Sequence, residues 1–317
     1  ELISDSNGTR EQLAQWWLDA MGHCIKSFST AQRAAVRVIG VSGQQHGFVP
    51  LSASGEVLAP VKLWCDTATV AQCEQIMADY GGRERCIADV GNPILPGYTA
   101  PKIRWLKTHA PEAYANLATI LLPNDYINFY LTGERAMECG DASGTGLLDV
   151  RERCSHQGML TSLDPLRDLS AALPALVPHD EPVGVLRGVS AAALGLPVGI
   201  PVACGGGDNM MAAIGTGNVS NGHMTISLGT SGTLFASTDT PVLDPGESLA
   251  AFCSSTGGWL PLLCTMNCTV ATELTRNLLG TNLAQLDAAV ARAEAGSAGV
   301  MTLPFFNGER TPNLPHG

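Results

Sequence analysis

Apolar residues near the start of the chain recur at helical spacing and then form an almost continuous run. Residues 11–28 have the apolar face of an amphipathic helix. The run over residues 36–41 stops at Ser42-Gly43, a pattern that predicts a sheet strand covered on both faces. The next predicted elements are a helix over 67–80, a second helix capped by Thr99, and a third that begins at Pro111. A strand over 118–122 follows them. Alternating helices and strands are typical of an α/β domain.

The pattern changes at residue 201, where short apolar strands alternate with glycine-rich turns. The predicted elements are a strand at 201–204, a helix at 210–214, a hairpin with strands at 223–228 and 233–237, strands at 249–254 and 258–263, and helices at 269–279 and 283–295. We therefore predict one domain over residues 1–217 and the start of a second α/β domain over 218–317.

The charge balance excludes several classes of partner. The chain of 317 residues carries 18 Lys and Arg against 29 Asp and Glu, a formal net charge of -11. Such a surface repels phosphate backbones, so we expect no nucleic-acid or membrane partner. A ligand that bears phosphate has to be held locally, by backbone N–H groups, a metal ion or a rare cation. This favours a small ligand in a cleft.

The cysteines indicate the compartment. Ten cysteines occur without a CxxC pair, and no nearby histidine completes a zinc set for Cys264 and Cys268. We interpret them as reduced, buried thiols and expect no metal held by protein ligands alone. The absence of an 18-residue apolar run and of a secretory signal in this chain favours a soluble, cytoplasmic protein.

A glycine-rich turn before a predicted helix is the strongest candidate for chemistry. Gly205-Gly-Gly lets the backbone turn sharply after a strand, and Asp208 and Asn209 follow at the helix start. A carboxylate there can accept a proton from a substrate hydroxyl, and the helix N-terminus should favour its charged form. The alternative is that Asp208 only caps the helix.

The turn Gly229-Thr230-Ser231-Gly232 joins two predicted strands. Its backbone N–H groups and two hydroxyls suit terminal phosphates in a chain with few lysines. Taken alone, the motif is explained more simply as an ordinary hairpin turn, in which glycine, threonine and serine are common.

Gly43-Gln-Gln45-His46-Gly47 follows the apolar run, at the sheet edge where α/β proteins bind ligands. Amide and imidazole groups both donate and accept hydrogen bonds, as a polyhydroxylated ligand requires, although a lone histidine is often structural.

Trp64 and Asp66 lie one loop further along the chain. The indole of Trp64 can stack on a sugar face, or it can be half-buried in the fold. Capping explains the segment around Asp141 adequately. A glycosidase using Asp66, Asp141 and Asp208 is a weaker alternative, since nothing fixes their separation.

Taken together, these segments resemble the FGGY family of carbohydrate kinases. The blocks that carry the resemblance, in family order, are Val41–Gly47, Leu63–Asp66, Gly97–His109, Leu122–Tyr126, Asp141–Thr145, Gly206–Asn209, Ser227–Gly232 and Gly308–Pro312. They span nearly the whole chain.

The resemblance implies an actin-like, ribonuclease-H-like ATPase fold, with two α/β domains closing over a cleft for sugar and MgATP. It also implies that Asp208 is the catalytic base. The contacts that it implies or allows are Gln45, His46, Asn209, Trp64 and Asp66 for the sugar, and Gly229, Thr230, Ser231 and Gly232 for the ATP phosphates, with Glu309-Arg310-Thr311 as an architectural block.

The implied reaction transfers the γ-phosphoryl group of ATP, with Mg²⁺, to hydroxyl 5 of D-xylulose. Gln-Gln-His-Gly together with Gly-Asp-Asn favours xylulose over glycerol or gluconate. Other family sugars, ribulose included, and a sugar- and ATP-binding regulator without turnover are the alternatives. A homodimer remains open.

Family members begin with a strand and an Asp-x-Gly-Thr/Ser phosphate hairpin, and their C-terminal half supplies a glycine-rich adenosine site. Neither occurs in these 317 residues. We therefore expect the fold to be incomplete at both ends, as an interior piece of a longer protein.

Overall fold

The structure is a computed structural model that describes residues 1–306, 308–311 and 314. Asn307 and Pro312 of the predicted 306–312 motif lie outside the described residues. The helices are α1 (Ala14–Ser27), α2 (Thr30–Ala34), α3 (Val70–Tyr80), α4 (Arg83–Val90), α5 (Thr99–His109), α6 (Pro111–Ala115), α7 (Pro123–Thr132), α8 (Cys139–Ala142), α9 (Gln157–Leu163), α10 (Gly188–Leu194), α11 (Asp208–Gly215), α12 (Thr269–Leu278) and α13 (Leu283–Arg292).

The strands are short and form several small sheets. They are β1 (Ile3–Ser4), β2 (Arg10–Gln12), β3 (Ser42–Gly43), β4 (Val49–Leu51), β5 (Val61–Lys62), β6 (Thr119–Leu121), β7 (Ala136–Glu138), β8 (Leu148–Asp149), β9 (Cys154–Ser155), β10 (Ala175–Val177), β11 (Pro182–Val185), β12 (Pro201–Ala203), β13 (Gly206–Gly207), β14 (Met224–Leu228), β15 (Gly232–Ala236) and β16 (Leu262–Thr265). The sheets have the orders β1-β2-β5, β10-β7, β11-β12, β13-β3, β14-β15-β16, β4-β6 and β8-β9.

One parallel pairing organises the candidate site. β3 runs beside β13 with Gly43 opposite Gly207, and a parallel bridge between Ile39 and Val202 extends the pairing upstream. Both segments therefore end at the same edge, which is where an α/β sheet presents ligand contacts. The mixed α/β class predicted from the sequence is confirmed.

The largest buried cluster among the described residues joins early and late parts of the chain. Ile76 of α3, Ile103 of α5 and Ile120 of β6 are fully buried in it, and Ala251 and Cys253 from the later part of the chain join them. Asn92 satisfies the backbone of Ala251, since its side-chain amide donates to the Ala251 carbonyl and accepts from the Ala251 N–H, both at 2.8 Å. The boundary near residue 218 stays a prediction, and residues beyond it share this core.

Most predicted elements are confirmed with shorter limits. The predicted helices 11–28, 67–80 and 210–214 correspond to α1, α3 and α11, and the predicted hairpin is β14 and β15 paired antiparallel. The segment 249–254 is not a regular strand, because the chain there crosses into the core and makes only isolated bridges, such as Cys253 with Trp259. The cap of α5 is Tyr98 rather than Thr99.

The run 36–41 was predicted to be covered on both faces, and this prediction is wrong. Val38 is 60% exposed, and the regular strand comprises only Ser42–Gly43. The run instead lines an apolar groove of about 950 Å³ whose other wall includes Trp17 and Ile25 of α1. Within the described residues, this apolar run forms one wall of a groove.

Two sequence-based expectations about cysteines and membranes can be compared with the structure. All ten cysteines are free thiols, but Cys24 and Cys154 are exposed rather than buried. Within the described ranges, no helix combines the length and the apolar character needed to cross a bilayer.

Candidate functional site

The ends of β3 and β13 bring two of the predicted motifs together. Gln45 is buried, and its Oε1 accepts a hydrogen bond of 2.6 Å from Nδ2 of Asn209, which lies 164 residues away in the sequence. Its Nε2 donates to the sulfur of Met210 at 3.2 Å. A Cβ on Gly207 would lie 2.6 Å from Cγ of Gln45, so this approach requires glycine. The two amides predicted to contact a sugar are therefore already joined.

His46 is held by contacts on its ring. The imidazole packs against the rings of Tyr98 and Phe252, each with its centroid 5.3 Å away. A Cβ on Gly144 would come within 1.8 Å of Cε1 of the ring, so glycine is required there as well. Burial, and secondarily the charge of Lys102, lowers the pKa of His46 to about 3. The ring is therefore neutral at physiological pH, with one nitrogen to donate and one to accept.

The backbone of His46 is fixed as well. Its φ is +62°, in the left-handed region that residues other than glycine rarely adopt. Its N–H donates to Oδ1 of Asp141 at 3.3 Å, and its carbonyl accepts hydrogen bonds from Thr99 Oγ1 and Lys102 Nζ. Two helices far from it in the sequence, α5 and α8, therefore set the position of this residue.

Asp141 joins the site, a role that the sequence did not reveal. Its Oδ1 lies 3.6 Å from Nδ1 of His46, and its side chain is fully buried. Burial, followed by the charges of Asp125 and Glu138, raises the pKa of Asp141 well above its usual value. The predicted capping is confirmed for Glu138, which accepts hydrogen bonds from the N–H groups of Gly140 and Asp141. Because helix capping alone accounts for this segment of the sequence, the contact of Asp141 with His46, 95 positions away, could not be predicted from it.

Asp208 is the first residue of α11 and is exposed. The N-cap is Gly207, so the alternative that Asp208 serves only as an N-cap is wrong. Its Oδ1 accepts a hydrogen bond of 2.9 Å from the N–H of Asn209, next to it in the chain. We expected the helix N-terminus to favour the charged form, but partial desolvation outweighs the hydrogen bonds and raises the pKa of Asp208. We call Gln45, His46, Asp141, Asp208 and Asn209 the sugar-side cluster.

Trp64 and Asp66 do not join these contacts. Both oxygens of Asp66, which is fully buried, accept hydrogen bonds from the chain itself: Oδ2 from the Arg10 N–H and Lys62 Nζ, and Oδ1 from the Ala68 N–H. Trp64 is 44% exposed, with the guanidinium of Arg310 5.8 Å from its ring centroid. Their sugar-binding role stays a prediction, and the geometry shows Asp66 as an ion-pair partner of Lys62.

The turn Gly229–Gly232, which we call the phosphate turn, closes the hairpin of β14 and β15. Its carbonyls anchor the start of α12: the carbonyl of Gly229 accepts from the N–H of Thr269 at 2.9 Å, and that of Thr230 from the N–H of Cys268 at 3.2 Å. Thr230 and Ser231 are exposed. Among the residues that the structure describes, none accepts a hydrogen bond from their backbone N–H groups. Those donors and hydroxyls fit an anionic oxygen.

One contact connects the helix of Asp208 with the strand that leads into the phosphate turn. The hydroxyl of Thr216, at the end of α11, lies 2.7 Å from the hydroxyl of Thr225 on β14.

The architectural role expected for the Glu309 block agrees with its contacts. The carboxylate of Glu309 accepts from the N–H groups of Met266 and Asn267, where β16 ends.

Comparison with known proteins finds a family model and relatives that are all carbohydrate kinases. A sequence model of the N-terminal domain of the FGGY family of carbohydrate kinases matches residues 1–215. A xylulose kinase of Haemophilus influenzae is 41% identical over 323 residues, covering 100% of this chain and 66% of that protein. A xylulose kinase of Streptomyces coelicolor is 38% identical over 318 residues, covering 99% and 62%.

A solved structure of another xylulose kinase has a backbone fold similar to that of this chain. The crystal structure of xylulose kinase from Rhodospirillum rubrum superposes with a TM-score of 0.90 at 26% identity, covering 98% of this chain and 64% of that one. The chain thus spans about two thirds of the length of the relatives it matches.

Proposed function

The chain belongs to the FGGY family of carbohydrate kinases, and we propose that it forms the sugar-binding part of an enzyme that phosphorylates hydroxyl 5 of D-xylulose with MgATP. The observation that carries this proposal is the union of Gln45, His46 and Asn209 at one sheet edge beside the exposed carboxylate of Asp208. The actin-like, ribonuclease-H-like architecture follows from the family. That the relatives are xylulose kinases supports the choice of sugar.

Asp208 acts in this proposal as the base that orients and then deprotonates the accepting hydroxyl. Only Asn209 donates to its carboxylate among the described side chains and N–H groups, so lone pairs remain for a substrate. Its raised pKa makes the carboxylate a better proton acceptor. In phosphoryl transfer the proton leaves late, so positioning by this carboxylate matters more than early deprotonation.

The neighbouring groups suit a ketose. The neutral imidazole of His46 offers one donor and one acceptor, and Asn209 and Gln45 hold each other's amides in fixed orientations. Fixed groups lose little entropy when a ligand binds, which favours tight positioning.

The phosphate turn supplies N–H and hydroxyl donors for the terminal phosphates of ATP. Bound Mg²⁺ would neutralise the charge that develops on the phosphoryl oxygens. Within the described residues, no cluster of three or more His, Cys, Asp or Glu side chains could hold a metal. A magnesium ion that keeps several waters and is carried mainly by the nucleotide fits this donor set. The ten free thiols fit a reducing compartment, and we propose a cytoplasmic enzyme.

A substrate panel tests the proposal. The protein expressed from its complete reading frame is assayed for ADP release with D-xylulose, D-ribulose, glycerol and D-gluconate, and ³¹P NMR locates the phosphate on the product. We expect the highest kcat/KM with D-xylulose and a phosphate on oxygen 5. A higher kcat/KM with glycerol or gluconate would mean that this compound, and not D-xylulose, is the substrate. Xylulose binding without ADP release would favour a regulator, and sugar hydrolysis without nucleotide a glycosidase.

A further inference from the structure

Lys102 is the largest completely buried side chain among the residues that the structure describes. It lies on α5, and its Nζ donates to two backbone carbonyls, those of His46 and Gly97, each at 2.7 Å. No carboxylate of the described residues lies within ion-pair distance of it. The other buried lysine differs, because Lys62 pairs with Glu11 at 2.9 Å and with Asp66 at 3.1 Å.

A buried lysine without a counter-ion is costly. Removing an ammonium group from water is strongly unfavourable unless a charge compensates it, and a leucine or methionine would fill this space more favourably. Burial lowers the pKa of Lys102 to about 7. A cost of this kind, retained in a well-packed core, points to a task that an apolar side chain cannot perform.

The task is visible at the carbonyl of His46. The left-handed backbone of a residue other than glycine is strained and persists only where its surroundings determine it. Lys102 and Thr99, one turn apart on α5, both donate to this carbonyl, at 2.7 and 3.2 Å. Asp141 accepts from the N–H on the other side of the residue. These groups hold the peptide that orients the imidazole.

We propose that Lys102 is a positioning residue for the sugar site, which with Thr99 clamps the carbonyl of His46 so that its imidazole keeps the orientation in which it contacts the sugar. The inference rests on the proposed function for the identity of the sugar, but the clamp itself is a property of the free protein. Both hydrogen bonds survive loss of the proton, because a neutral amine still has two N–H groups for its two carbonyls.

The test compares two buried positions on one helix. Lys102→Met keeps the length and apolar character of the side chain but removes both donors. Ile103→Val is the matched control, because Ile103 is also fully buried on α5 and its side chain has no donor for His46. Thr99→Val, nearly isosteric, removes only the second donor and serves if Lys102→Met does not fold.

Two measurements are made on each variant. In the chain labelled with ¹⁵N-histidine, the His46 signals are identified by their loss in His46→Gln, and their shifts are recorded without sugar. The Kd for D-xylulose is measured by calorimetry, and thermal unfolding reports stability. We expect Lys102→Met to move the His46 signals and to raise the Kd at least about tenfold. Ile103→Val should lower the melting temperature without either effect, and Thr99→Val should act like Lys102→Met but less strongly.

The outcomes separate the clamp from the proposed function. Unchanged His46 signals in Lys102→Met, or a Kd that changes equally in Ile103→Val and Lys102→Met, would overturn the clamp. If the unmodified protein binds no D-xylulose, the proposed function fails. The sugar-free spectra then still decide whether Lys102 positions His46, since moved signals support the clamp and unmoved ones reject it.

Discussion

The sugar-side cluster and the phosphate turn are built in opposite ways. Within the cluster, Gln45, His46 and Asp141 are buried and held by partners between 53 and 165 residues away in the sequence. The phosphate turn exposes Thr230 and Ser231, and its anchors are its own hairpin and the start of α12. The first region is thus fixed before a ligand arrives, whereas the second offers open donors.

This difference has a functional consequence. A pre-organised site gains affinity because its groups are already ordered, so changes at the buried members of the sugar-side cluster should alter both stability and sugar binding. An exposed turn contributes little to stability, so changes there should affect the nucleotide alone. The predictions below test this division, beginning with the largest expected effect.

Asp208→Ala should abolish most catalysis while leaving sugar binding nearly intact. Loss of a catalytic base costs roughly 100-fold to 10,000-fold in kcat, equal to about 3 to 5 kcal/mol. The side chain is exposed and, among the described residues, bonds only to Asn209, so its removal should leave the buried contacts of Gln45, His46 and Asp141 in place. Steady-state kinetics and calorimetry with D-xylulose measure the two quantities. Asp208→Asn, which keeps an acceptor for the Asn209 N–H, should lose as much. Near-normal turnover would remove Asp208 from the base role.

Gly144→Ala should damage the sugar-side cluster from within. The new methyl group would overlap the His46 ring, which has Cε1 1.8 Å and Nδ1 2.1 Å from the position of a Cβ. Overpacking of this kind costs about 1 to 3 kcal/mol of stability. Because the ring has to move, the Kd for D-xylulose should rise at least about tenfold.

Gly22→Ala is the matched control for Gly144→Ala. Apart from its chain neighbours and the adjacent backbone of α1, no atom of the described residues lies within 4 Å of a Cβ at Gly22, in the middle of that helix. Alanine should there stabilise the helix by about 0.5 to 1 kcal/mol and leave sugar binding unchanged. Unaltered xylulose binding in Gly144→Ala would show that the ring position does not matter.

The two regions also differ in what the sequence could reveal. Helical periodicity and turn chemistry are local, and they sufficed for α1, α3, α11 and the hairpin that carries the phosphate turn. The motif around Asp208 was recognisable because glycines and a carboxylate adjoin in the chain.

The rest of the cluster depends on contacts that no local pattern encodes. Asp141 and Lys102 meet His46 across 95 and 56 residues, and each has a sufficient local explanation, as part of a capped helix or of an amphipathic one. The pKa direction of Asp208 was predicted wrongly for the same reason, since the helix terminus is visible in the sequence but desolvation is not. For Asp66, the family resemblance of the block Leu63–Asp66 allowed a sugar contact, and the structure shows its carboxylate accepting hydrogen bonds from Lys62 and the Arg10 N–H.

Asp141→Asn should change how stability depends on pH. Burial, with Asp125 and Glu138 nearby, raises the pKa of Asp141, so the native state keeps a proton that the unfolded chain releases above about pH 3.9. The native state then binds more protons, and the stability contributed by this group is fully present at low pH and lost as pH rises through the native pKa. The difference in unfolding free energy between the unmodified chain and Asp141→Asn should fall with pH, by at most about 1.4 kcal/mol per unit.

Urea denaturation between about pH 3 and 8 measures this difference, and Asp5→Asn serves as the control of opposite sign. Hydrogen bonds from Thr9 lower the pKa of the exposed Asp5. Its contribution is therefore present above its unfolded pKa and lost as pH falls. A pH-independent difference for Asp141→Asn would mean that this carboxyl is ionised in the native state as in the unfolded one.

Ser231→Ala should have the smallest effect, confined to the nucleotide. Its exposed hydroxyl offers one hydrogen bond to a phosphate, worth about 0.5 to 1.5 kcal/mol, so kcat/KM for ATP should fall by about 2-fold to 13-fold. Stability should stay within about 0.5 kcal/mol, and the Kd for D-xylulose should not change. Ser220→Ala, at an exposed serine on the approach to β14, should leave the nucleotide kinetics unchanged. A weaker xylulose affinity in Ser231→Ala with unaltered ATP kinetics would assign the turn to the sugar, and the division between a pre-organised sugar side and an open phosphate side would fail.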